Sequence, residues 1–366
     1  MKLLQHRFSK ISATCAVVIL AAAQLTTAQT TRPTPAPRNQ PMNGMTAKPD
    51  AQMQSVLDNL AALKPIPIET LTPGEARYQP AFPDALKQTI QKKTKMFPMP
   101  ESVAKVEEIT ITVPAGQIAG RVYTPSGNGP FPVIVYYHGG GFVIASINAY
   151  DSSARALTNG AGAMVVAVEY RKAPEAKFPA AHDDAFAAYQ WVLANAATFG
   201  GDTKRVAVVG ESAGGNLACN VSIMARDKNV QVPLAQVLVY PIANNDPNAP
   251  SIRENTSPKL TLNAPKLPWF YSFYLTTQSE SNDPRLSLVR ANLKGLPPTT
   301  IINAQIDPLR SEGELLAQKM REAGVTVDQK TYPGTVHEFF GMAAVSDQAK
   351  AANAQAFKAL RGAFRN

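Results

Sequence analysis

The stretch Lys204-Arg205-Val206-Ala207-Val208-Val209-Gly210-Glu211-Ser212-Ala213-Gly214-Gly215-Asn216-Leu217-Ala218-Cys219 decides how the chain is read. Val206 to Val209 form a short unbroken apolar run, the pattern of a parallel strand buried on both faces. Leu217, Ala218 and Val221 begin a helical pattern just beyond it. A strand therefore meets a helix at Ser212. Gly210-Glu211-Ser212-Ala213-Gly214 fits G-x-S-x-G, in which flanking glycines relieve crowding so that one hydroxyl sits on a strained turn at a helix N-terminus. There the helix dipole and free backbone N–H groups favour negative charge. Ser212 is thus a candidate nucleophile.

Composition sets the frame for that motif. With 366 residues, 45% hydrophobic and 17% charged, the chain can bury a large core, and one α/β domain with appendages is the simplest account. The formal charge is +9 and falls to +6 without Lys2, Arg7 and Lys10. That excess is spread thinly, with no basic run interleaved with aromatics, so nucleic-acid binding is not expected. Residues 1–28 read as a secretory signal: a charged start, an apolar run over 13–23 and small residues Thr26-Thr27-Ala28, too short and early for a stable membrane span. The expected location is periplasmic or secreted. Cys15 falls inside that leader, which leaves Cys219 alone and no intramolecular disulfide to form.

Outward from the central motif, residues 29–50 carry Pro33, Pro35, Pro37, Pro41 and Pro49 and read as a proline-rich linker. Helical patterns follow at 53–63, after Thr72-Pro73-Gly74-Glu75 and at 85–93, either a loose extension or part of a lid. Strand patterns at 106–113 and 120–123 suggest an antiparallel pair, and 131–137 a third strand. Helix and strand then alternate through 153–158, 164–168, 180–194, 206–209, 214–225, 235–240, 300–304, 311–323, 326–332 and 347–364. Such alternation implies a mostly parallel sheet wrapped by helices, an α/β fold. The stretch 242–298 breaks the rhythm with scattered prolines and the run Trp269, Phe270, Tyr271, Phe273, Tyr274, so it reads as a lid or a packed excursion.

A serine hydroxyl is a poor nucleophile until a base takes its proton, and that base needs an orienting carboxylate. Of the four histidines, His6 lies in the leader, and His182 at a helix start reads as a surface or capping residue. His138 opens a glycine run, so His337, in a loop after the strand at 326–332 and the turn Pro333-Gly334, is the candidate base. Asp307, at the end of the preceding strand, is the candidate acid. His138-Gly139-Gly140-Gly141 follows the strand ending at Tyr137, and glycines let backbone amides approach a substrate oxyanion. The proposed donors are the N–H groups of Gly139, Gly140 and Ala213, with His138 fixing the loop. A phosphate-cradling loop would need a following Gly-Lys-Ser/Thr, and a zinc site a ligand spacing; neither is present.

These motifs make the sequence similar to the bacterial branch of the hormone-sensitive lipase family of α/β-hydrolase esterases. The resemblance rests on the His138-Gly139-Gly140-Gly141 block, the Gly210-to-Asn216 elbow and Tyr170-Arg171-Lys172-Ala173-Pro174-Glu175 with Phe178-Pro179-Ala180-Ala181. It rests equally on Asp307-Pro308-Leu309-Arg310 and on Tyr332-Pro333-Gly334 before His337-Glu338-Phe339. It covers about residues 55–365. It implies an eight-stranded sheet, a helical cap from about 51–100 and 243–290 within a hydrolase domain 51–366, and hydrolysis of short acyl esters without cofactor. The partner implied is a small-molecule ester; a homodimer is compatible with the sequence. Glu211, Ser311 and Glu338 depart from the family pattern, which more often has Asp or Thr, an acidic residue and Gly at these places. Glu338 is expected to narrow the site mouth or repel anionic substrates. A lipase or amidase with the same three residues, or a binding protein on the same scaffold, is the alternative.

Overall fold

The structure, a computed structural model, describes residues 47–365, so the expected leader 1–28 and nearly all of the expected linker 29–50 lie outside the described residues. Three helices come first: α1 (Ala51–Ala62), α2 (Pro73–Tyr78) and α3 (Phe82–Thr94). Asp50 caps α1 by accepting from the Met53 amide, and Thr72 with Glu75 forms the expected capping box of α2. The antiparallel pair β1 (Lys105–Val113) and β2 (Gly116–Thr124) follows, then β3 (Phe131–Tyr137), α4 (Asp151–Ala161), β4 (Met164–Val168) and α5 (Ala180–Asn195). The centre is β5 (Gly201–Glu211) and α6 (Ala213–Asp227), with β6 (Gln236–Val239) next. After α7 (Pro250–Glu254) and α8 (Leu267–Tyr274) the chain returns through β7 (Thr299–Ile306), α9 (Arg310–Glu322), β8 (Val327–Val336) and α10 (Asp347–Arg365).

One eight-stranded sheet results, in the order β1-β2-β4-β3-β5-β6-β7-β8. β2 meets β4 antiparallel, and β4 through β8 are all parallel, so the mostly parallel α/β sheet read from the alternation is the one observed. Both faces are covered. Val133, Val135, Val206 and Val208 join an apolar cluster with Ala185 of α5, Leu217 of α6 and Leu316 of α9. Their neighbours Ile134, Tyr136, Ala207 and Val209 join the opposite cluster, with Leu157 of α4 and Ala352 of α10. This is the two-residue period of a strand read on both sides, and each buried valine-sized side chain contributes roughly 1.5–3 kcal/mol.

Two segments outside the sheet matter for the site. Met53, Val56, Phe82 and Ala85 place α1 and α3 in the cluster of α4 and α10, whereas Ile68 and Ala76 belong to the other cluster. The insertion between β6 and β7 meets the N-terminal segment where the Trp269 indole N–H donates to the Leu71 carbonyl at 2.9 Å. No described helix is long and apolar enough to cross a membrane.

The expected turn at Pro333-Gly334 is instead part of β8. Ala304 pairs with Tyr332 and Ile306 with Val336, so Pro333, Gly334 and Thr335 bulge opposite Gln305 alone. Gln305 stabilises the bulge by accepting from the Gly334 amide at 2.8 Å. A proline is tolerated there because β8 is an edge strand, and the bulge re-aims whatever follows it, which is His337.

The β5–α6 junction is packed against backbone on every side. A Cβ on Gly214 would stand 2.0 Å from the Tyr137 carbonyl oxygen of β3, and one on Gly210 2.0 Å from the Gly214 carbonyl oxygen. Neither neighbour can swing aside. Gly214→Ala is therefore expected to lower unfolding stability by about 3 kcal/mol, read as a fall in the midpoint of chemical denaturation; an unchanged midpoint would contradict this packing.

Candidate active site

Ser212 lies between β5 and α6 at φ 57° and ψ −117°, a left-handed backbone rare for a side chain larger than glycine. Its own backbone secures it: the amide donates to the Val239 carbonyl at 2.9 Å, and its carbonyl accepts from Asn216 and Ile242 at 3.1 and 3.2 Å. The turn delivers the buried hydroxyl to His337, whose Nε2 accepts from Ser212 Oγ at 3.0 Å. On the far side of the ring, His337 Nδ1 donates to Asp307 Oδ2 at 2.6 Å. Asp307 directly follows β7, and its second oxygen accepts from the Leu309 amide at 2.8 Å. The three residues read from the sequence thus converge.

Burial disfavours a charged imidazole at His337, but the adjacent Asp307 carboxylate outweighs it, and the pKa lies above the ordinary 6.5. Tyr240 packs on the ring at 4.4 Å between centroids, and Thr261 Oγ1 donates to the His337 carbonyl at 3.0 Å. Serine as donor, histidine as acceptor and aspartate as anchor form a chain able to move one proton off the hydroxyl.

The glycine loop borders this chain. Gly140 takes φ 106°, accessible without strain only to glycine, and its carbonyl accepts from Val143 and Ile144 at 3.0 and 2.9 Å. No protein acceptor among the described residues takes up the amides of Gly139, Gly140 or Ala213. His138 is wholly buried; its Nδ1 donates to the Gly139 carbonyl at 2.7 Å, and burial pushes its pKa down to about 4. It is a neutral brace within the loop. Tyr170 extends the brace by donating to the His138 carbonyl at 2.8 Å, while the Ala173 amide donates to Phe142 at 2.9 Å. Arg77 then ties this stretch to α2, donating to the carbonyls of Val143 and Ala173 and pairing with Glu175 at 2.7 Å.

One expectation needs correction. His182 is neither a surface nor a capping residue: it is buried, with Nε2 2.8 Å from Asn216 Oδ1 and Nδ1 3.0 Å from the Tyr274 hydroxyl. α5 packs beside α6 and brings His182 onto the asparagine of the elbow motif; burial pushes its pKa down to about 4. The Glu338 carboxylate accepts from the Tyr150 hydroxyl at 2.8 and 2.9 Å. Its φ of 75° explains why glycine suits this position.

The sequence reading did not single out Tyr150, Tyr240 or Asn216 for the site, and left Phe270 among several packed aromatics. Phe270 of α8 lies directly over the glycine loop, where a Cβ on Gly141 would come within 2.3 Å of its ring. Among the described residues no group of three or more His, Cys, Asp or Glu side chains is arranged to hold a metal ion. Cys219 is buried on α6, and burial pushes its thiol up to about 12.

With this geometry in hand, known proteins give a consistent match. A family model of the α/β-hydrolase fold matches residues 134–341. The carboxylesterase NlhH of Mycobacterium tuberculosis is 38% identical over 280 residues, covering 75% of this chain and 87% of that protein. An ethyl acetate hydrolase of Pseudomonas putida is 33% identical over 313 residues, covering 83% and 95%. Among solved structures, a hyperthermophilic esterase of Pyrobaculum calidifontis superposes with a TM-score of 0.77 at 35% identity over 86% of this chain and 98% of that one. The chain therefore belongs to the α/β-hydrolase fold family, among the carboxylic ester hydrolases related to hormone-sensitive lipase.

Proposed function

We propose that the chain is a serine carboxylesterase of short acyl esters, working through Ser212, His337 and Asp307. One observation carries this reading: His337 stands between the Ser212 hydroxyl at 3.0 Å and the Asp307 carboxylate at 2.6 Å. Ser212 Oγ attacks the ester carbonyl while His337 Nε2 takes its proton, and Asp307 holds the imidazole in the required tautomer and stabilises the imidazolium. The carbonyl oxygen becomes an oxyanion facing the amides of Gly139, Gly140 and Ala213, each worth about 3 kcal/mol in the transition state. His337 returns the proton to the departing alcohol, leaving an acyl-enzyme on Ser212. It then deprotonates a water that releases the acid.

The insertion and the N-terminal segment meet at Trp269 and Leu71, and Phe270 leans over Gly141, so we propose that these segments cap the site. The name of the Pseudomonas putida relative, ethyl acetate hydrolase, supports a short acyl group and a small alcohol. Export rests on residues 1–28 alone, whose charged start and apolar run have the form of a secretory signal. Cell fractionation tests it: enzyme confined to the cytoplasm with its leader intact refutes export.

Ser212→Ala is expected to reduce kcat by four orders of magnitude or more while leaving the thermal midpoint close to wild type, and to abolish labelling by a fluorophosphonate. Labelling that survives the substitution would place the nucleophile elsewhere. Asp307→Asn is expected to lower kcat about 10⁴-fold by favouring the wrong tautomer. The pH profile follows from the sign of the His337 shift. The base is competent only when neutral, and its pKa is raised, so kcat/KM should climb with pH on a limb centred above 6.5. A limb centred below 6.5 would remove His337 from the role of base. Esters from acetyl to palmitoyl, with an amide control, define the substrate; preference for the longest chains or for the amide would overturn the short-ester reading.

A further inference from the structure

Glu338 occupies a backbone conformation that glycine would take without strain, and it follows His337 directly. A left-handed non-glycine residue costs on the order of 1 kcal/mol, so its side chain must make contacts that offset this. Both carboxylate oxygens accept from one hydroxyl, that of Tyr150, at 2.8 and 2.9 Å. Tyr150 is buried in the turn before α4, on a segment far from His337 in sequence. Its hydroxyl sits against the first glycine of the loop, where a Cβ on Gly139 would be only 2.2 Å away. The Glu211 carbonyl lies beside the same glycine, 3.2 Å from that point.

Glu211 forms the rest of this buried assembly. Its carboxylate accepts from Tyr136 Oη at 2.5 Å and from Tyr240 Oη, and Tyr240 is the ring that packs on His337. Burial pushes the Glu211 carboxyl up to about 7. A small cleft lined by Phe82, Leu86, Ser153, Glu211 and Glu338 runs beside the two carboxyls.

We infer that Glu338 is a positioning residue for ester hydrolysis: with Tyr150 it straps the residue after His337 to Gly139, fixing the spacing between the general base and the oxyanion donors. The inference rests on the proposed roles of His337 and Gly139. The strap joins the loop after β8 to the loop after β3, which no other direct side-chain bond to Glu338 does among the described residues. Loss of the strap leaves each loop folded but lets their separation drift. A displacement near 1 Å costs up to about a hundredfold in rate with little effect on ground-state binding.

The test compares the wild-type enzyme with Glu338→Gly, Glu338→Gln, Tyr150→Phe and the Glu338→Gly/Tyr150→Phe double variant. Initial rates on p-nitrophenyl acetate and butyrate give kcat and KM separately, and thermal melts report folding. Glu338→Gly, which the backbone accommodates, is expected to melt at or above the wild-type temperature, with kcat down tenfold to a hundredfold and KM within about twofold. Glu338→Gln keeps an oxygen to accept from Tyr150 and should recover most of kcat. Tyr150→Phe should fall as far as Glu338→Gly, and the double variant no further than either. Wild-type kcat in Glu338→Gly, no recovery in Glu338→Gln, or multiplying losses in the double variant would each overturn the strap. A wild-type chain that hydrolyses neither ester would refute the esterase reading, and the strap with it; an active wild type with an equally active Glu338→Gly refutes the strap alone.

Discussion

The left-handed backbone of Ser212 is the constraint on which the molecule turns. Holding a non-glycine residue at φ 57° and ψ −117° costs roughly 1–3 kcal/mol, and the surroundings supply what offsets it. Val239 takes the Ser212 amide, and Asn216 and Ile242 donate to its carbonyl, so the end of β6 and the first turn of α6 together specify one residue's dihedrals. Those bonds exist only because β5 is a central strand flanked by β3 and β6, with α6 pressed onto the sheet through side-chain-free glycines. The sheet is thus a rigid mount. Its result is a hydroxyl held within hydrogen-bond reach of an imidazole 125 residues later in the chain.

Charge at the site is settled by distance. His138, His182 and His337 are all buried, and burial alone makes a charged ring unfavourable at each. At His138 the closest carboxylate, Glu169, stands 3.8 Å away and is also engaged by Lys172, so desolvation wins and the ring stays neutral. At His337 the Asp307 carboxylate is in hydrogen-bond contact and wins instead. Two imidazoles therefore serve as neutral braces, and at the third the adjacent carboxylate raises the pKa above the ordinary value.

What the sequence disclosed, and what it withheld, divides along the same physical line. The β5–α6 elbow, the glycine loop after β3 and the aspartate after β7 are local patterns in which a strand end, a turn and a helix start are contiguous, so period and turn chemistry locate them. His337 emerged by elimination among four histidines and by chain order. Contacts between distant segments left no such trace. That His182 faces Asn216 depends on how α5 packs beside α6, and that Glu338 turns to Tyr150 depends on the angle at which the chain leaves β8. Pro333-Gly334 has the composition of a turn; only pairing with β7 makes it a bulge within a strand.

The indole of Trp269 carries a practical consequence. The chain has two tryptophans, and Trp191 lies on α5 beside Phe199, on the flank of the sheet. Trp269 instead joins the insertion to the N-terminal segment, one residue from the ring that rests on the glycine loop. Its indole is hydrogen-bonded across that seam and packed on Phe270 and Phe273, so its fluorescence is expected to shift if the seam parts, and no dye need be attached to follow it.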